Sequence, residues 1–144
     1  LYVGVLGNER LRRLPVWQMK FGTMPESLPA IATRKVKCDR RYQQKYGITT
    51  RAAHDLSPAV VAQLDRLSRR IYRALGLSGY ARMDFRVTAA GQVFVLEANA
   101  NPNLASAEDF AQSALSAGMG YDELLSRIIT LGCDYKAEWR ADYG

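Results

Sequence analysis

Two strand-like runs, Tyr80 to Val87 and Val93 to Ala98, flank a turn around Ala89-Ala-Gly91-Gln92. Aromatic and β-branched residues are frequent in both arms, and Gly91 suits a turn position with positive φ. An antiparallel hairpin is therefore expected. Side chains alternate across a strand, so Arg82 and Asp84 project to one face while Met83 and Phe85 project to the other. On the second arm Glu97 and Asn99 share a face, and Phe94 and Leu96 share the opposite one. The alternation predicts a buried side of Met83, Phe85, Phe94 and Leu96, and a polar side of Arg82, Asp84, Glu97 and Asn99.

Helical patterns surround this hairpin. Ser57 suits an N-cap, Pro58 the first helical position and Gly76 the residue just past the end, which predicts a helix from Ser57 to Leu75. Val60, Val61, Leu64, Leu67, Ile71 and Leu75 fall on one apolar stripe, with Arg66, Arg69, Arg70 and Arg73 off it. After Pro102, Ser106 is expected to cap a helix running to about Ala117, with Asp109 completing a capping box. Gly118 and Gly120 break it. A last amphipathic helix carries Leu124, Leu125, Ile128, Ile129 and Leu131.

Upstream, residues 1–6 read as a strand stopped by Gly7-Asn8, and Leu14 to Phe21 as a second strand, placed at an edge by Pro15. Residues 22–57, with Gly22, Pro25, Pro29 and Gly47, have no clean period and read as a long irregular segment with short elements. Neither Met nor leader precedes the opening strand, so further residues are expected before it in the parent protein. The fold class that follows is α+β, an antiparallel sheet backed by helices. At 144 residues the chain has room for one core, so a single domain is expected over 1–144.

Composition narrows the function. Hydrophobic residues make up 48% and charged residues 24%, which excludes a mostly disordered chain. No apolar run approaches the ~20 residues of a membrane span. Cys38 and Cys133 lack metal-type spacing and read as reduced thiols in a cytoplasmic protein. A single histidine, His54, argues against a histidine metal site or a Ser/His triad. The net charge of +6 is concentrated between Arg34 and Arg51, where Lys35, Lys37, Arg40, Arg41 and Lys45 also lie with Asp39 the only acid. Such a run suits a nucleotide's phosphates or a nucleic acid, and it equally suits a solvated face.

The chemistry sits on the hairpin's polar face. Asp84, Glu97 and Asn99 are hard oxygen donors in adjacent strands, the kind of half-shell Mg²⁺ accepts when water and phosphate fill its remaining positions. Arg82 has a fixed fork of donors suited to a phosphate oxygen. Alternation alone equally admits an exposed hairpin face with Arg82 and Glu97 paired across the strands. The run Leu96-Glu-Ala-Asn-Ala-Asn-Pro102 favours the site: an acid and an amide two apart leave the strand into a proline-stopped loop.

Gly79-Tyr-Ala-Arg-Met-Asp84 followed by Val95-Leu-Glu-Ala-Asn-Ala-Asn-Pro102 resembles the paired signature of ATP-grasp ligases, above all those like D-alanine–D-alanine ligase. The likeness extends to Ser116-Ala-Gly-Met119, the Tyr121 to Leu131 helix and the opening strand, and is looser over residues 8–56. It implies the C-terminal subdomain of an ATP-grasp module in an ATP- and Mg²⁺-dependent carboxylate–amine ligase, working through an acyl phosphate. It further implies that Asp84, Glu97 and Asn99 bind two Mg²⁺ ions, with Glu97 bridging. Arg82 would stabilise the transferred phosphoryl group, Leu96 would lie against the adenine, and Lys37 would contact phosphate.

Two positions depart from that family. Asn103 stands where a glycine follows the proline, and Glu108 stands where a serine holds a substrate carboxylate. Both bear on substrate binding and put D-alanine as acceptor in question. The partners expected are ATP, a small carboxylate, an amine and the N-terminal portion of the same enzyme. Homo-oligomer formation is left open, and neither a membrane nor a nucleic acid is expected. A noncatalytic ATP-grasp relic and a basic nucleic-acid-binding domain are the alternatives.

Overall fold

The computed structural model describes residues 1–136 except Glu26, Pro29 and Ala30, with only the backbone of Arg34 and Cys38. Pro29 of the irregular segment, the Arg34 side chain of the basic run and the Cys38 thiol thus lie outside the described residues.

The elements in chain order are β1 (Tyr2–Leu6), β2 (Arg12–Arg13), β3 (Trp17–Lys20), α1 (Arg34–Cys38), α2 (Arg40–Tyr46), β4 (Thr49–Ala52), α3 (Pro58–Ala74), β5 (Tyr80–Val87), β6 (Val93–Asn99), α4 (Asp109–Ser116) and α5 (Tyr121–Cys133). The strands form one antiparallel sheet in the order β4-β3-β1-β5-β6, with β2 added to β1. The α+β reading holds. The expected edge position of the second strand does not, because β3 lies between β1 and β4. Pro15 precedes that strand, so its missing N–H interrupts no ladder bond.

Register sorts the two central strands into two faces. Val3 pairs with Met83 and Val5 with Ala81, while Tyr2 pairs with Asp84, Gly4 with Arg82 and Leu6 with Tyr80. The first face packs on α3 through Val60, Leu64 and Tyr72 in a core with Val3, Val5, Met83 and Phe85. Helix α3 starts as expected: the Ser57 hydroxyl accepts from the Val60 N–H at 3.3 Å, and Gly76 follows the end with φ 59°. Its buried stripe is rotated from the expected one. Ser68 and Tyr72 are inside, while Leu75 is exposed.

The second face is covered at one end only. Leu6, Leu14, Phe110, Ala111, Ala114, Met119 and Leu124 make a second core under α4 and α5. Gly4 permits the approach of α4, since a Cβ there would stand 2.8 Å from Leu14 Cδ1 and 3.0 Å from the Phe110 ring. On α5, Leu124 is buried but Ile129 is exposed, so the apolar stripe there is narrower than the sequence suggests. Toward the Tyr2–Asp84 end the same face carries the polar residues.

The hairpin forms with Gly91 at φ 79°, but its apolar face departs from simple alternation. Asp84 pairs with Glu97 while Phe85 pairs with Val95, so Leu96 is an extra residue in β6. This bulge shifts every residue before it to the other face. Phe94 consequently pairs with Arg86, and Phe94 and Leu96 are 52% and 64% exposed instead of buried.

Candidate active site

Asp84 is the centre of the polar face. Although only 6% of the residue is exposed, its carboxylate is matched by two cations. Arg82 Nε donates to Oδ1 at 2.8 Å and Arg82 Nη2 to Oδ2 at 3.2 Å, while Lys37 Nζ lies 3.7 Å from Oδ2. A buried carboxylate needs such compensation, because an unpaired charge there would be strongly disfavoured. The alternative of a cross-strand Arg82–Glu97 ion pair is not what forms: Arg82 forks onto Asp84 along its own strand, and Glu97 faces Asp84 across the ladder.

Lys37 reaches the site from α1, which is capped by the Thr33 hydroxyl and joined to α2 at Asp39. Other members of the basic run have local partners. Lys35 and Lys45 lie over the rings of Tyr42 and Tyr46, and Arg51 pairs with Asp55 at 3.5 Å. Of the described cations in that run, it is Lys37 that meets the hairpin.

The loop after β6 is organised by its asparagines. Asn99 Oδ1 accepts from the Asn101 N–H at 2.9 Å, Asn101 Oδ1 from the Tyr80 hydroxyl at 2.6 Å, and Asn103 Oδ1 from the Ala105 N–H at 3.0 Å. Side chains of this type bond their own backbone two residues on and so hold a turn. Asn103 thereby has a local role at its departure position. Beyond it the helix starts later than Ser106: α4 begins at Asp109 with Glu108 as N-cap, and the Ser106 carbonyl accepts from Gln112 Nε2 at 2.8 Å. The Glu108 side chain is exposed and makes no capping hydrogen bond.

A cleft of about 470 Å³ opens beside Asp84 and is lined on its other sides by Tyr2, Met19, Phe21, Phe85 and Leu96 among others. Its size suits a small molecule, and its walls combine apolar side chains with one buried acid. Leu96 reaches it because of the bulge, so the residue matched to an adenine contact and the residue matched to a metal ligand share one hollow. A second void, about 10 Å³, lies between Tyr2, Trp17, Arg82 and Asp109. Sequence reasoning missed Tyr2 and Asp109. Tyr2 sits on β1, about eighty residues from Asp84 in the chain, and only the β1–β5 register brings them together.

The donor set fits Mg²⁺. Asp84 and Glu97 are opposed across the ladder, and Asn99 lies on the same face opposite Arg82. Among the described residues no three His, Cys, Asp or Glu side chains cluster as a closed metal cage. Two carboxylates and an amide are donors of the kind accepted by an ion that keeps water and phosphate in its shell.

A family model described as D-ala D-ala ligase C-terminus matches residues 1–130. The chain belongs to this family. The D-alanine–D-alanine ligase of Oleidesulfovibrio alaskensis is 37% identical over 113 residues, which are 74% of this chain and 36% of that protein. That of Syntrophobacter fumaroxidans is 29% identical over 91% of this chain and 39% of the relative. The chain thus spans under half the length of the curated relatives it matches. The fold agrees with the solved D-alanine–D-alanine ligase of Coxiella burnetii, with a TM-score of 0.70 at 22% identity over 92% of this chain and 31% of that one. The ligase of Bacillus anthracis, solved in complex with ATP, superposes with a TM-score of 0.70 at 21% identity over 99% of this chain and 41% of that one. As a D-alanine–D-alanine ligase C-terminal family member, the chain carries the antiparallel, helix-backed ATP-grasp fold of these structures.

Proposed function

We propose that this chain is the metal- and phosphate-binding half of an ATP-dependent ligase that joins a carboxylate to an amine. The observation that carries the reading is the Asp84 carboxylate, buried opposite Glu97 with Arg82 forked on it and Lys37 beside it. Such a constellation suits phosphoryl transfer, where positioning and charge neutralisation do most of the work. Asp84, Glu97 and Asn99 would hold Mg²⁺, and the chemistry a bound ion supplies there is charge neutralisation on the β- and γ-phosphates. Lys37 and Arg82 supply donors for phosphate oxygens from two directions. Leu96, exposed in the cleft, offers an apolar wall to a base. The carboxylate takes the γ-phosphoryl group of ATP with release of ADP, and the amine then attacks the acyl carbon, losing a proton as inorganic phosphate leaves.

Glu108 is proposed to disfavour an acceptor with a free carboxylate at its position and to favour a neutral or cationic group. Its side chain is not engaged in capping α4 and is therefore available to a ligand. A free carboxylate brought against that side chain would meet a like charge.

The test is an assay of the full-length protein with ATP, Mg²⁺ and a panel of amino acids and amines. Phosphate release should require both a carboxylate and an amine, cease with EDTA, and accompany a C–N-bonded product detectable by mass spectrometry. Phosphate release without a joined product, or none under any pairing, would overturn the ligase reading.

A further inference from the structure

The Arg82 guanidinium is restrained in two different ways, at its edge and on its face. At the edge, Asp84 accepts from Nε and Nη2. On the face lies the ring of Tyr2, whose centroid is 4.9 Å from the guanidinium carbon. The edge contact fixes how the planar group is turned within its plane, and the face contact fixes the plane itself. Neither restraint alone sets the direction of the remaining N–H groups.

Tyr2 is built to present its ring. It is 5% exposed, stands opposite Asp84 in the β1–β5 register and lines both the large cleft and the small void around Arg82. Its hydroxyl contacts the sulfur of Met19 at 3.7 Å, a weak interaction that leaves the ring as its main contribution. Burial first, and then the charges of Asp109 and Asp84, push its pKa well above the ordinary tyrosine value, with Arg82 opposing, so the phenol stays neutral.

We propose that Tyr2 is a positioning residue for Arg82, its ring holding the plane of the guanidinium so that the donors not taken by Asp84 keep one direction. In catalysis this rests on the reading of Arg82 as a donor to the transferred phosphoryl group. A strand-borne arginine has a long flexible stem, and without the ring the fork can pivot about its two bonds to Asp84.

The experiment uses the full-length protein with Tyr2→Phe, which keeps the ring, and with Tyr2→Leu and Tyr2→Met, which fill the space without it. Two quantities are read: steady-state kcat and KM for Mg-ATP, and the ¹H–¹⁵N resonance of Arg82 Nε, assigned by Arg82→Lys. The wild type and Tyr2→Phe should show a slowly exchanging Nε–H shifted by the ring, whereas Tyr2→Leu and Tyr2→Met lose the ring shift. The two ringless variants should lose on the order of tenfold in kcat, with KM within about twofold, and Tyr2→Phe should restore kcat to within about twofold. A Tyr2→Phe variant as slow as Tyr2→Leu would overturn the proposal, as would ringless variants with unchanged kcat and an unmoved Arg82 signal. If the ringless variants fail to fold, an Nε–H of the wild type at the free-arginine position is itself disproof. A wild type without turnover would defeat the ligase reading, while the Arg82 resonance would still decide the role of Tyr2.

Discussion

Arg82 and Asp84 lie two residues apart on one strand, and the guanidinium bends back to grip both carboxylate oxygens at 2.8 and 3.2 Å. The grip ties the charge of a buried acid to the group proposed to meet phosphate. Glu97, across the ladder, is exposed and has no share in that grip. The two acids therefore differ in what their removal does to the fold.

Glu97→Ala in the full-length protein is expected to lower Mg²⁺-dependent turnover by about a thousandfold or more, with an unchanged melting temperature. Asp84→Ala should lose turnover equally and also melt lower, because it leaves Arg82 without its carboxylate in a half-buried site. Kinetics beside thermal melts would check both. A Glu97→Ala enzyme with near-normal rate would remove the metal assignment.

Lys37→Met tests the reach from α1. Its ammonium, 3.7 Å from Asp84, has a half-exposed stem, so folding should hardly change. The KM for Mg-ATP is expected to rise on the order of tenfold, as for the loss of one charged hydrogen bond. A titration of rate against Mg-ATP would show it.

Gly4→Ala should destabilise the protein by about 1–3 kcal/mol, the usual range for overpacking. The new methyl would meet Leu14 and the Phe110 ring at 2.8 and 3.0 Å and push α4 off the sheet. Urea unfolding of the variant, with its midpoint compared to the parent, is the measurement.

Stability should fall in alkali as the Tyr72 proton is lost. The Tyr72 hydroxyl donates to the Gly7 carbonyl at 2.7 Å, and burial raises its pKa from 10.0 to about 12. Above about pH 10 the unfolded chain releases this proton while the folded one keeps it, so the contribution is intact below that pH and is lost on rising to about 12. Tyr72→Phe should flatten this part of the stability–pH curve and cost about 1 kcal/mol at neutral pH. Thermal melts of both proteins from pH 8 to 12 would reveal it.

Glu108→Ser should broaden acceptor choice toward amino acids bearing a free carboxylate. A competition assay over the same amine panel would read the shift. An unchanged preference would leave Glu108 as the residue that opens α4 and nothing more.

Local chemistry carried most of what could be read in advance. Ser57, Pro58 and Gly76 bound α3 through contacts within a turn of the helix, and Gly91 placed the hairpin, so both were legible. The polar face was legible because Arg82, Asp84, Glu97 and Asn99 lie on the same side of the bulge. Phe94 was misread because it lies on the other side, and no residue between Val95 and Glu97 announces an extra position. Tyr2 escaped notice because strand pairing over some eighty residues is decided by the packing of α3 and α4 on the two faces, which periodicity does not encode.

The position of β5 within the sheet also has a consequence in time. β5 is bonded on both sides, by β1 and by β6, and lies over the larger core, whereas β6 is the outer strand and is interrupted by its bulge. Amide protons at Ala81 and Met83, which face β1, should then exchange with solvent only on global unfolding, while β6 can peel back through smaller openings and release those at Arg82 and Asp84. One side of the site would keep its shape for as long as the protein stays folded, and the side that bears Glu97 and Asn99 would be free to breathe around whatever enters and leaves.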